Sequence, residues 1–178
     1  MDTDRKGGRM TDTSSKQKIW YKHWPQEVAK HLDYPDTTLA EILQESAEKN
    51  SGKTAIIFLD TTMSYGDLWD RVKRMAKGLS DLGLKKGDIC ALILPNSYQY
   101  VVSFYACQLL GVVVTAINPT YKSLEVSYQL KDSNSKAVIV LDSIYKEVEK
   151  GIKDANVKTV IGTNIVDLCG FPKIKISG

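Results

Sequence analysis

Two short polar stretches of this sequence carry residue types that could bind a small ligand. Pro95-Asn96-Ser97 follows the apolar stretch ICALIL, and Asn118-Pro119-Thr120-Tyr121 follows the apolar stretch VVVTAI. Both apolar stretches have the character of buried parallel strands, and open parallel sheets bind ligands at the carboxyl ends of their strands. Each proline removes a backbone donor, while Asn, Ser and Thr supply short hydrogen-bonding groups. The two stretches are therefore candidate ligand loops. The alternative is that they serve only as turn and helix-cap residues.

Other common signatures of nucleotide, metal and nucleophile sites are incomplete. Residues 51–54, SGKT, match the second half of a phosphate loop, but Ala47 stands where the first glycine is required, so a helix-ending turn is predicted. No G-x-G-x-x-G or G-x-S-x-G motif occurs. The two histidines, His23 and His31, have no Cys or Asp at metal-ligand spacing and are interpreted as surface or packing residues. These patterns predict neither a metal site nor a catalytic residue.

The elements that position the two loops belong to a run of 33 residues, 89–121, which contains no Asp, Glu, Lys or Arg. A membrane span needs about 20 apolar residues in one helix, whereas this run is interrupted at Pro95-Asn96-Ser97 and again at Gly111. It divides into a strand, a helix capped by Ser97, and a second strand. The run is therefore predicted to be a strand–helix–strand unit in the protein interior and not a membrane span.

Strand and helix patterns alternate along the second half of the chain. Helices are predicted after a cap at Thr37 or Thr38, after Ser64, over residues 123–132 and along Ile144, Val148 and Ile152; strands are predicted at TAIIFL, AVIVL and VKTVIG, with a turn at Asp60-Thr61-Thr62. The alternation predicts an α/β fold with a mostly parallel, open sheet flanked by helices on both faces.

Apolar stripes on the first three predicted helices define the expected core. The stripes are Leu39, Ile42, Leu43 and Ala47; Leu68, Val72, Met75, Leu79 and Leu82; and Tyr98, Val101, Val102, Tyr105, Ala106 and Leu109.

Composition excludes several classes of protein. The 178 residues are 43% hydrophobic and 25% charged, with a net charge of +3 and both signs interspersed, so no nucleic-acid partner is expected. Cys90, Cys107 and Cys169 are widely spaced, which indicates reduced thiols and not a disulfide framework. The polar N-terminus lacks the apolar core of a signal peptide.

Changes in composition and in the apolar pattern along the chain predict four parts. Residues 1–18 are a disordered tail or a remnant of the expression vector, and residues 19–36 are an aromatic anchor segment that packs onto the domain. Residues 37–162 form the α/β subdomain, and over residues 163–178 the pattern dissolves.

A set of motifs spread over residues 37–162 makes a family resemblance specific. They are Ser64-Tyr65-x-x-Leu68, Leu82-Gly83-Leu84-x-x-Gly87-Asp88, Leu94-Pro95-Asn96-Ser97, Gly111, Asn118-Pro119 and the stretch YQLKDS that begins at Tyr128. In this combination the chain resembles the N-terminal region of AMP-forming acyl-CoA synthetases, which belong to the adenylate-forming superfamily. The opening WPQEVAKHLDYPDTTLAEIL from Trp24 is most similar to the medium- and long-chain fatty acyl branch.

The resemblance implies a two-step acid–thiol ligase reaction. ATP and a fatty acid would give an acyl-adenylate and pyrophosphate in the presence of Mg²⁺, and coenzyme A (CoA) would then displace AMP. The family's phosphate loop, hinge and C-terminal lysine are not found in these 178 residues and would lie beyond Gly178. The resemblance therefore implies the first part of a longer enzyme, one subdomain of its large N-terminal domain, in which residues 163–178 lead toward the ATP-binding part.

Further expectations follow from the same resemblance. ATP, Mg²⁺ and CoA would serve the full-length enzyme, whereas this chain alone would be inactive, would bind none of them and would hold no catalytic residue. The full-length enzyme would be cytoplasmic, with peripheral attachment to membranes and homodimerisation as further options.

Two groups of residues are implied as CoA contacts. Asn118, Pro119 and Thr120 resemble the loop beside which the pantetheine arm passes in acetyl-CoA synthetase-like members of the family, although those members carry glycines there. Tyr145, Lys146 and Lys150 resemble the region that supplies cationic contacts to the CoA nucleotide. The alternative for this second group is a solvated helix face.

Two other functions stay open. One is an aryl-acid CoA ligase, which profiling of acyl chain length in the complete enzyme would separate from a fatty-acid ligase. The other is a self-contained, non-catalytic α/β binding module, which the gene sequence after residue 178 would separate from both.

Overall fold

The computed structural model describes residues 18–169, and the chain divides between Asp36 and Thr37 into two compact units. The predicted tail therefore lies outside the described residues apart from Lys18, as does the end of the predicted continuation, residues 170–178.

The first unit is organised around Tyr21, which lies in a short 3₁₀ helix, Ile19–His23. Its ring meets those of Trp20, Trp24 and His31 edge-on, with centroid separations of 6.2, 5.8 and 6.2 Å. The Lys30 ammonium lies 5.2 Å from the Tyr21 ring centroid, within the range of a cation–π contact. The aromatic residues of the predicted anchor thus pack on one another, while packing of this segment onto the domain stays a prediction.

The described part of the second unit contains five α-helices and six β-strands. The helices are α1 (Leu39–Asn50), α2 (Tyr65–Asp81), α3 (Tyr98–Leu110), α4 (Ser123–Asp132) and α5 (Asp142–Asp154), and the strands are β1 (Thr54–Phe58), β2 (Thr61–Ser64), β3 (Ile89–Ile93), β4 (Val113–Ala116), β5 (Ala137–Leu141) and β6 (Thr159–Thr163).

Four strands form the open parallel sheet predicted from the sequence. Their order is β4-β3-β5-β6, and each neighbouring pair is parallel. In the central pair Leu92 lies opposite Ile139, which in turn lies opposite Ile161 on β6. Because α3, α4 and α5 connect successive strands, residues 89–116 form the predicted strand–helix–strand unit.

Both faces of this sheet are covered, which explains why its central strands are apolar without alternation. One face packs against α2 and α3, and its fully buried residues include Cys90, Leu92, Ala106, Cys107, Ala137 and Ile139. The other face packs against α4 and α5, and its core consists of Ala91, Ile93, Ile117, Val126, Leu130, Val138, Val140, Val148 and Ile152. The prediction that the uncharged run lies in the protein interior is confirmed for β3 and for the sheet-facing side of α3. It is wrong for β4, which is the edge strand of the sheet and leaves Val113 52% exposed. Within residues 18–169, no helix combines the length and apolar character that a bilayer span requires.

The turn predicted at Asp60-Thr61-Thr62 starts one residue too late and ends two residues too late. Strands β1 and β2 form an antiparallel hairpin, with Phe58 opposite Thr61. The connecting residues are Leu59 and Asp60, with φ of 47° and 55°. Positive φ at both central positions is typical of a type I′ turn, whose twist matches that of the strands.

The predicted helix caps are present. Thr38 caps α1 in a full capping box with Glu41, and the Ser64 hydroxyl of α2 accepts from the Asp67 amide at 3.1 Å. Ser97 caps α3 by accepting from the Tyr100 amide at 3.3 Å.

The predicted apolar stripes have the correct helical spacing, but some of the residues expected to be buried are exposed. Leu39 and Ile42 of α1 are 49% and 47% exposed, Leu82 is 54% exposed, and Leu109 of α3 is 39% exposed. The buried faces instead contain small or polar residues at neighbouring positions: Ala40, Ala76, Gln99, Ser103 and Cys107. The four small residues are buried because short side chains allow helices to lie close to the sheet and to each other. Gln99 is buried with its amide nitrogen bonded to the carbonyls of Asn164 and Ile165.

Asp88 joins the amino ends of β3 and β5. Its Oδ2 accepts from the Lys136 ammonium at 2.7 Å and from the Lys85 amide at 2.8 Å. Lys136 also donates to the Gly83 carbonyl at 2.7 Å. The hydrogen bond from Lys136, followed by that from the Lys85 amide, holds the pKa of Asp88 below its usual range.

The Asp88→Asn variant is therefore expected to lose stability in a pH-dependent way. A carboxyl group whose pKa is lower in the folded state stabilises the fold above its unfolded pKa of about 3.9, and this stabilisation is lost as the pH falls through the folded pKa. The variant should have a lower Tm than the parent at neutral pH, and the two Tm values should converge in acid. Thermal unfolding followed by circular dichroism across this pH range measures the effect. Asp132→Asn, which changes an exposed carboxylate, is the control; an equal, pH-independent loss in both variants contradicts the assignment.

Candidate functional site

The carboxyl ends of the four parallel strands meet at one edge of the sheet, and the candidate loops follow two of them. Starting from β3, the chain moves outward to β4 and then returns to β5 on the other side of β3. The order therefore reverses between β3 and β5, and ligands of open α/β sheets bind in the crevice at such a point. The loop after β3 and the start of α5, which follows β5, flank this crevice, and the loop after β4 lies one strand further along the same edge of the sheet.

Asn118 and Thr120 lie in a tight turn directly after β4. The Asn118 Oδ1 accepts from the Thr120 amide at 3.0 Å and from the Thr120 hydroxyl at 2.9 Å. Tyr121 donates its amide to the Asn118 carbonyl at 3.0 Å. Asn118 and Thr120 are exposed, and Pro119 is half-buried. Asn118 and Thr120 therefore do serve as turn residues. The Asn118 amide nitrogen has no protein partner among the described residues and is available as a donor to a ligand.

The loop after β3 is less available to a ligand. Ser97 is buried and its hydroxyl is engaged in capping α3, which confirms the cap prediction for this residue. Asn96 is exposed beside it.

Helix α5 presents the second predicted group. Lys146 and Lys150 are exposed and, being four residues apart, lie on one face of the helix. Tyr145 is half-buried and packs against the core of the α4–α5 face. It also lines a cavity of about 280 Å³ with Asp142, Val160 and Gly162.

The carboxylates of α5 are engaged by other lysines. Glu147 pairs with Lys122, and Glu149 pairs with Lys153 at 2.6 Å. The hydrogen bond from Lys153 lowers the pKa of Glu149, and the same contact raises the pKa of Lys153. Within residues 18–169, neither Lys146 nor Lys150 forms an ion pair, so both ammonium groups can meet an anionic ligand.

The residues of the Asn118 loop lie close to one another, as do those of the α5 group. Among the described residues, no hydrogen bond or ion pair connects one group to the other. The connection is indirect, through Lys122 and Ser123, which contact α5 at Glu147.

The sequence patterns do not identify one buried polar residue, Gln99. Gln99 of α3 is 4% exposed, and its amide nitrogen donates to the carbonyls of Asn164 and Ile165 at 2.7 and 3.1 Å. Its Oε1 is buried and has no hydrogen-bond partner within residues 18–169. The side chain lines a cavity of about 420 Å³ between α2, α3 and β6. A glutamine two residues after a predicted cap gave no sign that it would bind a segment 65 residues away.

Cys90 and Cys107 are neighbours in the core as free thiols. The hydrogen bond to Cys107, together with burial, raises the pKa of the Cys90 thiol, so this group stays protonated at neutral pH. The Cys90 thiol is therefore not suited to act as a nucleophile from this position. Cys107 is fully buried beside it.

Sequence comparison gives a consistent result. The family described as AMP-binding enzyme matches residues 43–175. A long-chain-fatty-acid–CoA ligase of Bacillus subtilis is 34% identical over 157 residues, which cover 88% of this chain and 28% of the ligase. A long-chain-fatty-acid–CoA ligase of Salmonella typhimurium is 31% identical over 154 residues, which cover 85% of this chain and 27% of the ligase. The chain thus spans little more than a quarter of the length of these curated relatives.

Solved structures show the same similarity in three dimensions. A long-chain-fatty-acid–CoA ligase from Archaeoglobus fulgidus matches with a TM-score of 0.70 and 30% identity, over 74% of this chain and 28% of that one. A benzoate CoA ligase from Burkholderia xenovorans matches with a TM-score of 0.68 and 25% identity, over 73% of this chain and 26% of that one.

Proposed function

The chain belongs to the family of AMP-binding enzymes, and from this membership we propose that it forms the N-terminal α/β subdomain of a fatty-acid–CoA ligase. The observation that carries the choice of substrate is the similarity to the Bacillus subtilis long-chain ligase. That similarity covers more of the chain than the family match does, and therefore includes residues before Leu43. This is the stretch in which the sequence itself favours the fatty acyl branch.

The proposed reaction has two steps. The fatty acid carboxylate attacks the α-phosphorus of ATP, which forms the acyl-adenylate and releases pyrophosphate. The CoA thiolate then attacks the acyl carbon, and AMP leaves with the electron pair of the broken C–O bond. A free carboxylate is a poor electrophile, and conversion of one oxygen into the leaving group AMP makes the thiol attack feasible. The charge that develops on phosphorus must be stabilised by cations and oriented donors.

We assign none of the phosphate chemistry to the described residues. Within residues 18–169, no group of three or more His, Cys, Asp or Glu side chains could hold a metal ion. A Mg²⁺ ion would act on the ATP phosphates, and no step of the proposal runs through a metal held by this part of the chain.

The role proposed for this chain is CoA binding at the edge beside the β3–β5 crevice. The Asn118 amide nitrogen and the exposed Thr120 would orient the pantetheine arm. Lys146 and Lys150, which lack carboxylate partners among the described residues, would neutralise phosphates of the CoA nucleotide, with Tyr145 beside them. Asn118 and Thr120 carry side chains where the resemblance implies glycine in acetyl-CoA synthetase-like members, so the arm would lie against side chains and not directly on the backbone.

A pyrophosphate-exchange assay with a panel of fatty acids tests the proposal. The purified 178-residue chain is expected to give no exchange above the blank because the family's phosphate loop and lysine are not among its residues. The protein encoded by the complete reading frame is expected to exchange with medium- or long-chain acids. Turnover by the 178-residue chain contradicts the assignment of the phosphate chemistry to other parts of the protein.

An aryl-acid CoA ligase is the second candidate, because the benzoate ligase structure matches almost as well as the fatty-acid ligase structure. Comparing benzoate with a series of straight-chain acids in the complete protein decides between them. A reading frame that stops at residue 178 would favour the third candidate, a self-contained binding module. A cytoplasmic location, with the option of peripheral membrane attachment, and homodimerisation are part of the proposal for the complete ligase.

A further inference from the structure

Three contacts join the start of α4 to the middle of α5, through residues Lys122, Ser123, Glu147 and Gly151, here named the α4–α5 clasp. The Ser123 hydroxyl donates to the Glu147 carbonyl at 2.6 Å. The Lys122 ammonium pairs with the Glu147 carboxylate. The third contact is the close approach of Gly151 to the backbone of Ser123.

Gly151 allows the two helices to touch at the backbone. A β-carbon at this position would lie 2.1 Å from the Ser123 carbonyl oxygen and 2.9 Å from its carbonyl carbon. These atoms belong to the main chain, so no rotation of a side chain could relieve the overlap. Below the clasp, Val126 and Leu130 of α4 pack with Val148 and Ile152 of α5 in one buried cluster. The backbone contact at Gly151 and the buried cluster therefore both limit the distance between α4 and α5.

The clasp lies between the two groups of proposed CoA contacts. Asn118 and Thr120 form their turn only a few residues before Lys122, and the same turn continues into α4. On α5, Lys146 immediately precedes Glu147, and Lys150 immediately precedes Gly151. The two groups share no direct contact among the described residues, and the clasp, together with the buried cluster beneath it, joins the elements that carry them.

We propose that the clasp residues are positioning residues for CoA, which hold the Asn118 turn at the distance from Lys146 and Lys150 that a single bound CoA molecule requires. This inference depends on the proposed CoA site. CoA is long, with a pantetheine arm at one end and phosphates at the other, so it binds at two separated points. A change in spacing between two such points weakens binding even when every contacting group is intact, because the ligand can then no longer engage both points at once.

Kinetics of the protein encoded by the complete reading frame test the proposal with a charge exchange. Lys122→Glu and Glu147→Lys are each expected to raise the KM for CoA by about two- to fivefold, the range for an exposed ion pair. The double exchange should restore the KM to within about twofold of the parent. The KM values for ATP and fatty acid, and kcat, should not change.

The direction of the Glu147→Lys effect separates positioning from simple electrostatics. This variant adds positive charge next to Lys146, so attraction of the CoA phosphates alone would lower the KM for CoA, whereas loss of the clasp raises it. Lys77 and Asp81 form an exposed ion pair on α2, away from α4 and α5, and their exchange is the matched control. Gly151→Ala gives a second test, with an expected rise of about tenfold or more in the KM for CoA in enzyme shown by circular dichroism to be folded.

Each alternative outcome is decisive. If Glu147→Lys lowers the KM for CoA, or the double exchange fails to recover it, the clasp does not position CoA. If all three KM values and kcat change together, the clasp is only structural and the inference is wrong. A double Lys146→Glu/Lys150→Glu variant with an unchanged KM for CoA overturns the proposed CoA site, and the inference with it. A raised KM in that variant together with inert clasp variants overturns the inference alone.

Discussion

The Gly151→Ala variant of this chain is expected to lose about 1–3 kcal/mol in the free energy of unfolding. Alanine is a better helix former than glycine by about 1 kcal/mol, and in an unobstructed helix the substitution would stabilise the protein. At Gly151 the added methyl group would lie 2.1 Å from the Ser123 carbonyl oxygen. Because the overlap is with main-chain atoms, α4 and α5 must separate, and the buried cluster beneath them loses contacts. Urea denaturation followed by circular dichroism measures the change.

Gly78→Ala provides the matched control. Gly78 also lies in the interior of a helix, α2, but a β-carbon there would have no atom within 4 Å. This variant should gain about 0.5–1 kcal/mol from helix propensity and a smaller loss of chain entropy on folding. The two variants therefore should change stability in opposite directions. Equal gains would show that α4 and α5 are not in backbone contact in solution.

The parallel sheet could be predicted because its signal is local. Between Ile89 and Tyr121 the chain has no charged side chain, and the interruptions at Pro95 and Gly111 divide the run into lengths that suit strand, helix and strand. Strands covered on both faces need apolar side chains in both directions, and this requirement is visible without knowledge of their neighbours. The caps at Thr38, Ser64 and Ser97 are equally local, since each involves a residue three positions later.

The predictions that were wrong concern features that depend on contacts with neighbouring helices and strands. Leu59 is not a typical residue for a type I′ turn, and the turn predicted over residues 60–62 therefore starts one residue later than the observed one. In α1 the buried stripe is centred on Ala40 and Leu43, while the larger Leu39 is exposed. Periodicity gives the spacing of a buried stripe, but the neighbouring elements decide which side of the helix meets the core.

The candidate site shows the same division between local and distant interactions. Asn118 and Thr120 could be recognised as turn residues because their hydrogen bonds are two residues apart. The importance of Gly151 could not be recognised, because it depends on a carbonyl group 28 positions earlier in the sequence. In the sequence Gly151 is a glycine inside a helical pattern, a feature that is more often tolerated than required.

Reversal of both charges in the Lys146→Glu/Lys150→Glu variant is expected to raise the KM for CoA by roughly 30-fold in the protein encoded by the complete reading frame. An exposed charge pair contributes up to about 1 kcal/mol, and replacing attraction by repulsion at two positions costs about 2 kcal/mol or more. The effect should fall on the KM for CoA and not on kcat, because the two lysines would contact the CoA nucleotide far from the reacting thiol. Initial rates at varied CoA, with ATP and fatty acid saturating, measure it.

Lys73→Glu/Lys77→Glu is the matched control for this prediction. These two lysines have the same four-residue spacing on α2 and give the same change in net charge, but they pair with Asp70 and Asp81. If both double variants raise the KM for CoA equally, the effect comes from overall charge and Lys146 and Lys150 are not contacts. Salt supplies a further distinction, because exposed charges are screened beyond about 8 Å at physiological ionic strength. Added salt should therefore remove most of any effect in the control, whereas direct contacts at Lys146 and Lys150 should keep part of theirs.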